Sequence, residues 1–183
     1  MLGLMIGLAV RQPPALPIPD KAQLRSARGP WLLINESRSL PRGLYRRLDA
    51  PVVLGSIVAV KPPPSAGAYL RAANAPEDLH LLKRVAAGPG DRVCVTRVAG
   101  DQARGGAPRA EPQTLKNGGR ILLLEALETD AGRRPLPDGT GCRLLQPGLV
   151  FILGDGPRSF DSRYFGPAPT GSLSGPYVLA VPW

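Results

Sequence analysis

HLLKRVAAGPGD, residues 80–91, runs an apolar segment into a glycine–proline turn and carries a lysine inside the apolar part. With Leu79 before it and RVCVTRV after it, the stretch reads as strand, turn, strand: 79–87, 88–91 and 92–98. Val93 and Val95 alternate with polar neighbours, as in a half-buried strand. Further out, WLLINES (31–37) is a strand leading into SRSLPRGLYRR, where Pro41 and Gly43 mark a turn. VVLGSIVAV (52–60) is a strand interrupted at Gly55, and KPPPSAG (61–67) is a loop. Residues 99–119 are polar and glycine-rich, a long loop or a hairpin tip, and RILLLEAL (120–127) suits a strand or a short helix. TDAGRRPLPDGTG (129–141) is a loop, LVFILGD (149–155) a buried strand ending in a turn, and SGPYVLAVPW (174–183) closes the chain. Short strands punctuated by 22 glycines and 22 prolines, with no long amphipathic helix, predict a mostly β fold.

The chain has 183 residues, enough for one domain with a core of its own. Its first ten residues, MLGLMIGLAV, are apolar and precede a proline-rich linker, so 1–30 is set apart from a single domain over 31–183. Ten residues are half of the roughly 20 that a membrane-spanning helix needs. No basic region precedes them, as one would in a signal peptide. They read as the tail of a span truncated by a misplaced start, or as a short hydrophobic end.

A net charge of +9 could serve nucleic acid or an anionic lipid surface. The arginines are scattered, however, and only nine aromatic side chains (three Phe, four Tyr, two Trp) could stack on bases. No nucleic-acid partner is therefore expected. One histidine, His80, and two cysteines, Cys94 and Cys142, leave too little for a zinc site, and no metal or cofactor is implied. A Ser–His–Asp triad would have to use His80, and no nucleophile elbow is present to receive it. In a hydrolase of this composition the base is not histidine. The two cysteines form a disulfide if the domain lies outside the cytoplasm, and are otherwise two buried thiols.

Lys83 is then the residue to explain. Of 23 basic residues only four are lysines, and Lys83 alone is set among Leu81, Leu82 and Val85-Ala86-Ala87. Lysine beside apolar residues commonly snorkels to solvent. Yet a desolvated lysine can lose its proton near neutral pH, whereas arginine cannot.

Three stretches around it form a pattern: INESRSLPRGLYRR (34–47), KRVAAGPGD (83–91) and LGDGPRSFDSRYFGP (153–167). In residues and order they resemble the serine, lysine and SxDSRYFGP boxes of the type I signal peptidases, membrane-bound serine proteases with a Ser–Lys dyad. The boxes span 35–167, and SFDSRYFGP is the most specific of them. Asn35-Glu36-Ser37-Arg38-Ser39-Leu40-Pro41-Arg42-Gly43-Leu44-Tyr45 is similar to the N-x-S/T-x-S-x-P-x-G-L-Y of the conjugative-transfer, TraF-type branch. Leu40, where housekeeping signal peptidases have methionine, favours that branch.

The resemblance implies a signal-peptidase-like β-barrel-type catalytic domain, shared with LexA-like proteases, with an extended β hairpin or loop insertion. It implies Ser39 as nucleophile and Lys83 as general base, with Ser37 as the alternative nucleophile. It makes Ser37 a partner of the Ser39 N–H in binding the oxyanion, Ser159 the residue orienting the lysine, and Asp161 and Arg163 a supporting pair. Asp155, in a GD turn shorter than that of housekeeping enzymes, receives no role. Tyr164 and Phe165 read as core packing. The implied partners are precursors with a leader peptide, pilin-like subunits, cut after small residues such as Ala-x-Ala, and a membrane surface. The implied place is the bacterial inner membrane, with the catalytic domain on the periplasmic side. Two rival readings are a LexA-like repressor protease, for which DNA-binding helices are missing, and a non-catalytic basic β-barrel module binding anionic lipid or nucleic acid. The second gives no reason for Ser39, Lys83 and Ser159 to occur together.

Overall fold

The computed structural model describes residues 29–98, 113–114 and 119–183, so the apolar N-terminal segment and most of the 99–119 loop lie outside the described residues. In chain order the elements are β1 (Leu32–Asn35), β2 (Gly43–Arg47), β3 (Ile57–Val60), α1 (Gly67–Ala72), β4 (Leu81–Ala87), β5 (Arg92–Val98), β6 (Gln113–Thr114), β7 (Arg120–Leu127), β8 (Gly141–Leu144), β9 (Leu149–Leu153), α2 (Ser162–Phe165), β10 (Ala168–Pro169) and β11 (Leu173–Pro182). They form two sheets. The larger runs β1-β2-β11-β3-β4-β9-β10, antiparallel throughout, and the smaller runs β6-β7-β5-β8. The mostly β architecture is the one expected.

The opening stretch folds as read. β4 and β5 flank a turn in which Gly90 takes φ 86°, a value that side chains rarely tolerate. The Asp91 carboxylate accepts the Gly88 N–H at 3.0 Å and also the Arg120 guanidinium at 2.6 Å, tying this turn to the start of β7. β5 and β7 are parallel, paired from Arg92↔Ile121 to Val98↔Leu127. The chain from β5 to β7 therefore crosses over, and β6 pairs antiparallel with the start of β7, Gln113 opposite Ile121. Residues 120–127 are strand, settling the choice between strand and helix.

Two expectations are corrected. Residues 52–56 are not strand: the Ser56 N–H bonds back to the Val53 carbonyl at 3.0 Å and Gly55 sits at φ 85°, so β3 begins only at Ile57. Part of the 129–141 loop belongs to β8, which starts at Gly141 and pairs with β5. Cys94 and Cys142 are opposite one another in that pair and are joined as a disulfide.

Three apolar clusters fill the interior. One, containing Val93, Val95, Leu122, Leu124 and Leu145, also takes in Phe151 and Leu153 and so packs the small sheet on the large one. A second gathers Val58, Val60, Val85 and Ile152, and a third Leu40, Tyr45, Leu82 and Tyr177. Phe160 stacks on Tyr69 at 4.5 Å between ring centroids and contacts Phe165 edge-on at 5.5 Å, reaching two clusters at once. Tyr164 and Phe165 are buried, as expected.

Candidate active site

The end of β1, the turn that follows it and the strand entry at 79–83 enclose a cavity of about 460 Å³, lined by Asn35, Ser37, Ser39, His80, Leu82 and Lys83 among others. Ser39 and Lys83, far apart in sequence, thus face one space. Antiparallel pairing does this. β4 is held beside β3 with Val58 opposite Lys83, and the alternation of the strand puts Lys83 on the same face as Val85, toward the interior.

Lys83 is only 3% exposed. Its Nζ donates to the Leu82 carbonyl at 3.0 Å. Burial lowers its pKa from 10.5 to about 8, a shift that Asp161 opposes and Arg163 assists. An amine in this range can give up its proton at ordinary pH.

The serine turn is built by hydrogen bonds. Asn35, the last residue of β1, is buried and sends its Nδ2 to the carbonyls of Ser37 (3.2 Å), Leu40 (3.0 Å) and Pro41 (3.1 Å). The Tyr45 hydroxyl donates to the Pro41 carbonyl as well, at 2.7 Å. Ser37 Oγ lies 2.7 Å from Ser39 Oγ, accepts the Ser39 N–H at 3.3 Å and donates to Asn35 Oδ1 at 2.8 Å. Ser37 is exposed at the rim, and Ser39 is buried below it.

The third box closes round the serine from behind. Asp155 N–H donates to the Ser39 carbonyl at 2.6 Å, and its carboxylate takes two hydrogen bonds from Arg84, at 2.8 and 3.1 Å. Arg84 follows Lys83 directly, so Asp155 spans from the lysine strand to the serine turn. A Cβ on Gly154 would collide with Ser159 Oγ, so glycine there lets Ser159 seat against the turn. Ser159 Oγ is buried and makes no hydrogen bond. Asp161 and Arg163 are 0% exposed and paired at 2.8 Å. Asp161 also accepts the Gly154 N–H at 3.0 Å, while Arg163 donates to the Ser159 carbonyl at 3.0 Å and the Glu125 carbonyl at 3.1 Å. This pair therefore scaffolds the loop carrying Gly154 and Ser159. His80, half-buried at the cavity wall, has Nδ1 2.9 Å from the Asp78 carbonyl.

In the sequence, Asn35 is only the first residue of the TraF-type motif and Asp155 has no role; the turn clamp and the Arg84–Asp155 bridge were not expected. Asn35 had a legible signal: an asparagine just before a serine-, proline- and glycine-rich turn commonly bonds to the backbone of that turn.

A mostly β fold with a serine turn and a buried lysine on one cavity fits the signal peptidase class of serine peptidases. Residues 26–183 match the family described as signal peptidase, peptidase S26, and the chain belongs to that family. Within it the chain falls in the TraF branch. It is 30% identical over 144 residues to the plasmid transfer protein TraF of Escherichia coli, with 73% of each chain covered. It is 31% identical over 150 residues to the conjugal transfer protein TraF of Agrobacterium tumefaciens (strain 15955), with 76% of each covered.

Proposed function

We propose that this chain is a Ser–Lys endopeptidase that removes leader segments from exported precursors, pilin-type subunits of a conjugative transfer system. The observation that carries the reading is a buried lysine, lowered to about 8, facing the same cavity as a serine hydroxyl. Neutral Lys83 accepts the proton of Ser39 as Oγ attacks the scissile carbonyl. The carbonyl oxygen becomes an oxyanion held by the Ser39 N–H and the Ser37 hydroxyl. The Lys83 ammonium then protonates the departing amine, leaving an acyl-enzyme. Lys83 next takes a proton from the water that hydrolyses the ester, and returns it to Ser39.

Two features support work at a membrane on the oxidising side. Across the first three strands of the large sheet, Ile34, Leu44 and Val181 lie in one row and Leu32, Arg46 and Val178 in another, two residues away on the same face. Leu32, Ile34, Val178 and Val181 are exposed there, with Trp183 at the end of the chain and Ile34 on the cavity wall. An apolar surface flanked by arginine and tryptophan suits the headgroup region of a bilayer, where a tethered precursor would be presented. The Cys94–Cys142 disulfide favours a periplasmic setting. Among the described residues no helix is long and apolar enough to cross a membrane.

The test is cleavage of a precursor peptide with an Ala-x-Ala junction, in detergent. Ser39→Ala and Lys83→Ala are expected to abolish cleavage with the fold intact. Lys83→Arg should be equally inactive, because arginine keeps its proton. Appreciable cleavage by Lys83→Arg would refute the base assignment.

A further inference from the structure

The hydrogen bonds of the serine turn fix which way its protons point, and one side chain outside the dyad sets that direction. The Asn35 amide cannot be flipped: its Nδ2 faces three carbonyls, of Ser37, Leu40 and Pro41, and an oxygen there would oppose all three. Its Oδ1 therefore faces Ser37 Oγ, 2.8 Å away, and takes the one proton that hydroxyl owns. Ser37 Oγ is left as an acceptor toward Ser39, whose N–H reaches it at 3.3 Å and whose hydroxyl must be the donor in the 2.7 Å contact. At rest the Ser39 proton thus points at Ser37, and Lys83 bonds to its own neighbour, the Leu82 carbonyl.

We infer that Asn35 is a positioning residue for the cleavage reaction, acting through Ser37. Its Nδ2 clamps the turn that carries both serines, and its Oδ1 holds Ser37 Oγ beside the Ser39 N–H, where the two together face a developing oxyanion. When substrate enters, the Ser37 hydroxyl has only to turn from Asn35 Oδ1 to the new oxygen. Ser39 in turn swings its proton from Ser37 Oγ to Lys83 for the attack. The inference rests on the peptidase reading of the same site, but it adds a residue that the dyad alone does not require.

The experiment is a double-mutant cycle on the full chain, with a quenched fluorescent peptide bearing an Ala-x-Ala junction as substrate. Asn35→Ala is expected to lower kcat at least about tenfold, with KM within about threefold, as for a lost transition-state interaction. Ser37→Ala should cost about tenfold or more in the native background but less than about twofold on top of Asn35→Ala, because the two act as one unit. Native kcat in Asn35→Ala, or the full Ser37→Ala loss persisting in that background, would overturn the inference.

A second measurement needs neither cleavage nor a folded variant. In the wild-type chain the Asn35 side-chain amide protons should exchange with solvent at least about tenfold more slowly than those of exposed Asn74. Exchange as fast as that of Asn74 would refute the clamp. If the wild type fails to cleave the peptide, the peptidase reading falls, and the exchange rates still decide the role of Asn35 in the turn.

Discussion

The two sheets differ in what they bury. Every buried polar or charged side chain among the described residues, Lys83, Asp161, Arg163, Ser39 and Ser159 included, lies outside the strands of the four-stranded sheet. That sheet contributes Val93, Val95, Leu122 and Leu124 to the core and is cross-linked by Cys94–Cys142. The seven-stranded sheet and its loops instead hold an amine, a carboxylate, a guanidinium and an unbonded hydroxyl away from water. Burying charge costs free energy unless it is paired, and a paired charge is hard to remove once the fold depends on it. The buried charges of the proposed site thus lie in the seven-stranded sheet and its loops, whereas the four-stranded sheet is held by apolar packing and a disulfide.

The difference can be broken at three points. Asp161→Asn takes the carboxylate from a fully buried guanidinium and should destabilise the fold by about 3–5 kcal/mol in a denaturant titration. Cleavage should fall with it, because the same carboxylate holds Gly154. Cys94→Ser with Cys142→Ser removes a link spanning 48 residues and should cost about 2–4 kcal/mol. Well below the lowered melting temperature, kcat should be unchanged, since neither cysteine lines the cavity.

Lys83→Met should act in the opposite sense on stability while abolishing activity. A native pKa of about 8 against 10.5 means that the unfolded chain binds more protons between those values. Wild-type stability should therefore rise with pH from about 8 to 10.5, and the penalty is complete below 8. The shift corresponds to about 3 kcal/mol as an upper figure. Lys83→Met should gain up to that at pH 7, and the gain should shrink as pH approaches 10.5. An equal difference from wild type at both pH values would contradict the burial argument.

The two sheets were also unequally legible. Strands β4, β5, β9 and β11 announce themselves by apolar runs or alternation, and the lysine stood out because apolar neighbours surround it. β2 was hidden because Pro41 and Gly43 draw attention to the turn before it, and β8, GCRL, has too little apolar character to show. The parallel pairing of β5 with β7 is a matter of topology that no local pattern carries. In the site, the serines, Lys83 and the SFDSRYFGP box could be picked out as residues because their motifs are dense. The Arg84–Asp155 bridge could not, because it depends on β4 and β9 being neighbours. The close seat that Gly154 gives Ser159 likewise shows only once the two are packed together.

The central claim is that Lys83 works as a neutral amine because the fold has dried it. The pH dependence of kcat/KM on a precursor peptide reports the free-enzyme base directly. In the proposed mechanism the unprotonated amine is the active form, so the rate should rise with pH through a pKa of about 8 and level off above it. A profile that keeps rising until about pH 10, where an ordinary lysine titrates, would contradict the account.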